Sequence, residues 1–154
     1  MEVHNNLSNL GEIEVSYKYH NELANRPVIQ SHIDAFSIVK ELYQKERMGL
    51  QEQFVVIFLN RANAVIGSCN LFNGGISACA VDIKIILATG LKLLASSVIV
   101  SHNHPSGNLK PSEHDIALTK KIKSALEAIE MTLLDHIIIS PDYKYCAFTE
   151  KGLL

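Results

Sequence analysis

The 154-residue chain contains no tryptophan, four prolines, three cysteines and no surplus of either charge, with 14 Lys+Arg against 16 Asp+Glu and a formal net charge of −2. Without a basic surplus there is no general electrostatic reason to expect nucleic acid or an anionic membrane as a partner; a local basic patch is compatible with these numbers. Cys69, Cys79 and Cys146 are odd in number, widely spaced and without a CxxC pair, which argues against a disulfide framework and a thiolate metal site. They read as small apolar residues of a cytoplasmic protein. No apolar run reaches the roughly eighteen residues of a membrane span, and the polar start "MEVHNNLSNLGEIEV" lacks the basic-then-apolar order of a secretion signal. No Gly/Ser-rich or Pro-rich tract and no internal repeat divides the chain. A single domain is therefore expected, and at this length it can bury roughly two thirds of its unfolded surface.

What is present is globular in composition, 47% hydrophobic and 19% charged. Residues 12–19, "EIEVSYKY", alternate at the period of a half-buried strand. Ser31 followed by Asp34 predicts a helix start, with Ile33, Phe36, Val39, Leu42 and Tyr43 forming one apolar stripe and Gly49 ending the helix. Residues 52–60, "EQFVVIFLN", and "VIGSCNLF" predict a hairpin across "RANA", and "NGGIS" a loop. Residues 82–95 are apolar almost all round, as in a helix buried on most sides. "SSVIVSH" reads as a buried strand. Ser112 to about Glu130 reads as a helix facing Leu118, Ile122, Ala125, Leu126 and Ile129 inward. "LLDHIIIS" and "YKYCAFT" read as two last strands joined by a turn at Pro141 and Asp142. The order β α β β α β α β β is that of an α/β domain, a mixed central sheet with helices packed against it.

One stretch stands apart. "SHNHPSGNLKPSEHD", residues 101–115, holds three histidines, an aspartate and a glutamate in fifteen positions. His102 and His104, two apart at a strand end, project from the same face in extended backbone, and Pro105 keeps His104 extended. Asp115 falls in the first turn of the following helix, after a loop containing Ser106 and Gly107 that can return the carboxylate to the histidines. Two imidazoles and one carboxylate suit zinc, with a fourth position left for water. A hydrolase also needs a base and a group for the developing oxyanion. Glu52, at the head of an otherwise apolar strand, is the acid/base candidate, and the Ser112 hydroxyl can point into the same cleft.

Plainer readings stand beside these. Ser112 and Asp115 fit SxxD, a helix N-cap with an acid in the first turn, and a capped turn is also a rigid mount for a ligand. An isolated HxH at a strand end is a weak metal signal, and Glu52 alone suits a surface strand end. His114 reads as a solvated helix residue near the cluster, His136 as a satisfied buried histidine on the face opposite Asp135. His4, His20 and His32 lack ligand-type neighbours.

Taken together, "HNHPSGNLKPSEHD" resembles the metal-binding signature of the JAB/MPN metalloprotease superfamily: HxH, seven residues, Ser, two residues, Asp. His102, His104, Ser112 and Asp115 fit it without a gap. "HNHPSG", "PSEHD" and "LLDHIIIS" are similar to the bacterial RadC-like branch, over a span from about Leu50 to "EKGLL". The resemblance implies a fold like that of cytidine deaminases, a curved mixed sheet flanked by helices, with residues 49–154 as metal-binding core and residues 1–48 adding a strand and a helix to the same domain. It implies one zinc per chain on His102, His104 and Asp115, Glu52 as general base, Ser112 supporting the tetrahedral intermediate, and hydrolysis of a peptide or isopeptide amide in an unidentified protein or peptide substrate.

Longer RadC-like proteins carry a helix-hairpin-helix region before this domain, and residues 1–48 show no GxG-type hairpin. A DNA repair or recombination accessory role is the second reading, weakened by the charge balance; DNA binding that falls steeply with salt distinguishes it. A metal-bearing interaction module without a reaction is the third. A nucleoside deaminase is excluded, because the paired HxE and PCxxC elements of that chemistry are absent.

Overall fold

The computed structural model describes residues 25–73 and 81–154. The strand expected over residues 12–19 and most of the "NGGIS" loop lie outside them. Within the described residues the elements run α1 (His32–Val39), a 3-10 turn (Lys45–Arg47), β1 (Gln53–Leu59), β2 (Val65–Asn73), α2 (Ile83–Leu93), β3 (Ser97–Asn103), α3 (Glu113–Glu127), β4 (Thr132–Ile139) and β5 (Tyr145–Ala147). The five strands form one mixed sheet in the order β2-β1-β3-β4-β5. β1 is antiparallel to β2 and β3, β4 is parallel to β3, and β5 turns back against β4.

β1 and β3 are buried along their whole length, which is why they read as unbroken apolar runs and not as alternations. Their pleat divides the core in two. Phe54, Val56, Phe58, Val98 and Val100 pack with Ile86 of α2 and with Ile122 and Leu126 of α3. Val55, Ile57, Leu59 and Ile99 pack on the other side with Ala35 and Val39 of α1. In β4 the register slips by one residue, Val98 facing Leu133 and Ile99 facing Asp135, so Leu134 is extra. Beyond that bulge His136 stands across from Val100, on the side of α2 and α3.

Two expectations about helices need correction. The first helix does not run to Gly49 but ends at Val39, because Tyr43 leaves the helical path to bury its ring, its hydroxyl 2.7 Å from Ser101 Oγ. The buried Gln53 amide then holds the chain there, accepting from Gln44 N at 2.9 Å and donating to Gln44 O at 3.1 Å. Ile33, placed on the inward stripe by its spacing, is exposed. α2 is not buried on most sides: it presents Ile86 and Gly90 to the sheet, while Ile85 and Leu91 are exposed. Gly90 permits that approach, since a Cβ there would lie 2.9 Å from Met131 Sδ.

Candidate metal centre

Antiparallel pairing sets the C-terminal end of β3 beside the N-terminal end of β1, with Phe54 across from His102. The pleat sends His102 to the face of α2 and α3, and His104 follows it because its backbone N–H donates to Ile139 O at 3.0 Å, prolonging the ladder past the strand. The chain then turns sharply. Gly107 N–H donates to His104 O at 3.0 Å, and Gly107 takes a φ of +80°, a conformation that favours glycine. The turn delivers the Asn108 carbonyl to His104 Nδ1 at 2.5 Å, so Nδ1 carries the proton and Nε2 the lone pair.

α3 returns the chain to the cluster. Ser112 caps it, accepting Asp115 N–H at 3.1 Å, while Asp115 Oδ2 accepts from Ser112 N at 2.7 Å and from Ser112 Oγ at 2.6 Å. The reciprocal box is complete, and it orients the carboxylate with Oδ1 turned to His102 and Oδ2 near His104. His102 Nε2 lies 3.2 Å from Oδ1, His104 Nε2 lies 3.5 Å from Oδ2, and the two Nε2 atoms are 2.9 Å apart. Burial pushes the Asp115 carboxyl up, but His102 and His104 beside it, and then Ser112, hold it well below the usual carboxylate range. His104 is raised, first by its hydrogen bond with Asp115 and in smaller part by the charges of Asp115 and Glu52, against the opposing effect of burial.

Ligand atoms of these three residues all lie within 4.8 Å of one another, and among the described residues they form a cluster able to hold a metal ion. The donor set, two imidazole nitrogens and a carboxylate oxygen, fits zinc, and the three residues line a cavity of about 650 Å³. Glu52, Ser112 and His114 line the same cavity. The structure thus brings all five expected residues to one place, while His114 is an exposed residue of the wall outside the ligand cluster.

Glu52 owes its place to a residue whose role does not show in the sequence. Asn103, between the two histidines, points to the opposite face and is fully buried. Its Oδ1 accepts from Gln53 N at 2.6 Å, and its Nδ2 donates to Met48 O at 2.7 Å and to Gln51 O at 2.9 Å. It therefore clamps the segment that carries Glu52. Asn103→Ala is expected to lower unfolding free energy by about 2–3 kcal/mol in urea titration, because buried backbone groups lose their partners, and to leave the ligand cluster on the other face able to take metal. Wild-type stability in that variant would show that the clamp contributes nothing.

His136 is the second such residue. It is fully buried and satisfied, as its strand position suggests, but its partner is a ligand: His136 Nε2 lies 2.8 Å from His102 Nδ1, and His136 Nδ1 lies 2.6 Å from Thr119 Oγ1. Burial, with the neighbouring His102 adding to it, pushes His136 well below the usual imidazole range. Thr119 is one helical turn beyond Asp115, the only sequence signal that it shares the ligand's face. Cys69 and Cys146 are both free thiols, and burial raises both, Cys69 to about 11.

A family model described as the RadC-like JAB domain matches residues 29–153. The match takes in α1, one helix earlier than the segment from Leu50 in which the motifs lie. A UPF0758 protein of Flavobacterium johnsoniae is 41% identical over 125 residues, covering 81% of this chain and 53% of that protein. A UPF0758 protein of Porphyromonas gingivalis is 40% identical over 104 residues, 68% of this chain and 46% of its own. One of Pseudoalteromonas translucida is 34% identical over 143 residues, 92% of this chain and 62% of its own. The chain thus spans about half the length of the curated relatives it matches. Among the described residues no helix is long and apolar enough to cross a membrane. With a mixed five-stranded sheet, a His-His-Asp cluster at the C-terminal end of its central strand and this run of relatives, the chain belongs to the RadC-like JAB domain family.

Proposed function

We propose that the chain is a zinc-dependent hydrolase of the JAB/MPN metallopeptidase kind, cutting a peptide or isopeptide amide with Glu52 as general base. The observation that supports this most directly is the convergence of His102, His104 and Asp115 in a cavity that Glu52 also lines. His102 and His104 through Nε2 and Asp115 through its carboxylate would hold the ion. Zinc, when bound, supplies Lewis-acid polarisation of the amide carbonyl and makes water acidic enough to deprotonate near neutrality.

The rest is work for side chains. Glu52 takes the proton of the attacking water and passes it to the leaving amine. Ser112 serves the oxyanion by turning its hydroxyl from Asp115 Oδ2 into the cavity, while its backbone N–H, 2.7 Å from Oδ2, keeps that oxygen satisfied. Apolar neighbours Leu50, Phe54 and Leu118 line the same space. The test is elemental analysis followed by assays on peptide and isopeptide libraries. One zinc per chain with cleavage is expected. A chain that takes up no metal removes the whole reading, and a zinc-loaded chain that leaves every bond intact reduces it to a metal-bearing interaction module.

A further inference from the structure

Of the three polar contacts of the His102 imidazole, the one with His136 leads away from the cavity and returns to it by another element. The Asp115 backbone carbonyl can only accept, so its 2.6 Å contact with Thr119 Oγ1 uses the one hydrogen of that hydroxyl. Thr119 Oγ1 must then accept from His136 Nδ1, 2.6 Å away. His136 is enclosed between the face of Phe148, with ring centroids 4.6 Å apart, and the edge of Phe54, at 6.1 Å, a slot that disfavours a charged imidazole. A neutral His136 that carries its hydrogen on Nδ1 has a bare Nε2. Across 2.8 Å that atom receives the hydrogen of His102 Nδ1.

We propose that Thr119 and His136 link His102 to the Asp115 carbonyl by hydrogen bonds, in a ring closed on the cavity side by the facing, unbonded His102 Nε2 and Asp115 Oδ1, and that this fixes His102 as its Nδ1–H tautomer, so that its Nε2 lone pair faces the cluster. Both are positioning residues, and the proposal rests on reading that cluster as a metal centre. The ring joins two ligands from different elements, His102 on β3 and Asp115 on α3, through β4. It acts in parallel with the Asn108 carbonyl, which fixes His104 in the same tautomer from the opposite side. A ligand imidazole in the other tautomer would aim an N–H at His104 Nε2 and at Asp115, where a cation is to sit.

The decisive experiment is long-range proton–nitrogen NMR of the histidine-labelled full chain in mildly alkaline, zinc-free buffer, paired with zinc affinity from competition with a chromophoric chelator. In the wild type, His102 is expected in the Nδ1–H form. Thr119→Val removes the acceptor at the far end of the ring, touches no ligand side chain, and is expected to move His102 toward the Nε2–H form and weaken zinc about 10- to 100-fold. Thr119→Ser keeps the hydroxyl and restores both readouts, and in His136→Gln the amide oxygen takes over as acceptor for His102. A purely structural role for Thr119 would shift stability without moving the tautomer. The proposal is overturned by an Nε2–H His102 in the wild type, a spectrum that decides even where a variant fails to fold. It is also overturned by a folded Thr119→Val protein with unchanged tautomer and affinity. A wild type that shows the Nδ1–H form and binds no zinc leaves the ring standing and removes the metal reading instead.

Discussion

Glu52→Gln is expected to lower kcat on a cleaved peptide or isopeptide by about 10²- to 10⁴-fold while zinc content and Tm stay at wild-type values. At room temperature that loss corresponds to about 3–5 kcal/mol of transition-state stabilisation. Glutamine has the shape of glutamate and keeps an acceptor oxygen, but its amide cannot take up a proton from water. The position permits a clean exchange: Glu52 precedes β1, is half-buried in the cavity wall and contributes no atom to the ligand cluster. Its nearness to the cluster is visible at His104, whose pKa is raised first by Asp115 and in smaller part by the Glu52 charge. Activity within about threefold of wild type would remove Glu52 from the mechanism. Loss of zinc would instead make it a ligand or a support for one.

Asp115→Ala is expected to abolish zinc retention and to remove a support of the fold at once. The carboxylate is one of three ligand groups and also the partner of Ser112 in the capping box. Losing the cap interaction costs about 1 kcal/mol without metal. Wild-type protein at a thousandfold excess of zinc over Kd gains about 4 kcal/mol from binding, and the variant gains nothing. Thermal unfolding with and without a chelator measures both quantities. Asp115→Asn separates them, since an amide oxygen can still accept from Ser112 N and Oγ: the cap survives and zinc is lost. Zinc-dependent stabilisation of Asp115→Ala equal to that of wild type would show that the ion, if bound, sits elsewhere.

The residues that carry chemistry were more legible than the elements that carry them. His102 and His104 are readable because strand alternation is a rigid rule, and Asp115 because a capped first turn has one geometry. β1, β3 and α3 follow from apolar runs and periodicity of the expected length. α1 was misread at its end because Leu42 and Tyr43 continue a helical stripe in sequence, yet Tyr43 gains more by burying its ring and giving its hydroxyl to Ser101. Spacing cannot weigh such a tertiary contact. α2 was misread in its surroundings, because an apolar composition does not say which apolar residues find a neighbour. Glu52 is a surface-type residue by every local criterion and acquires meaning only through the RadC-like pattern. The roles of Asn103 and His136 were beyond reach for a related reason, although His136 reads correctly as buried and satisfied: each acts through hydrogen bonds to residues far away in sequence, Asn103 to Met48, Gln51 and Gln53, His136 to His102 and Thr119.

The pairing of β3 with an earlier strand on one side and a later one on the other has a consequence for the chain during its synthesis. β1 and β3 can pair as soon as both have left the ribosome, which brings Glu52 beside the histidines. Asp115 follows with α3. His102 is held by His136 only when β4 has emerged and laid itself parallel to β3, a late and non-local contact of the kind that slows folding. Until then a nascent chain displays two histidines and two carboxylates with the Ser112 cap and the Asn108 carbonyl already able to form, but with His102 not yet held by His136. The ordered cluster, and any selectivity in what it binds, belongs to the finished sheet.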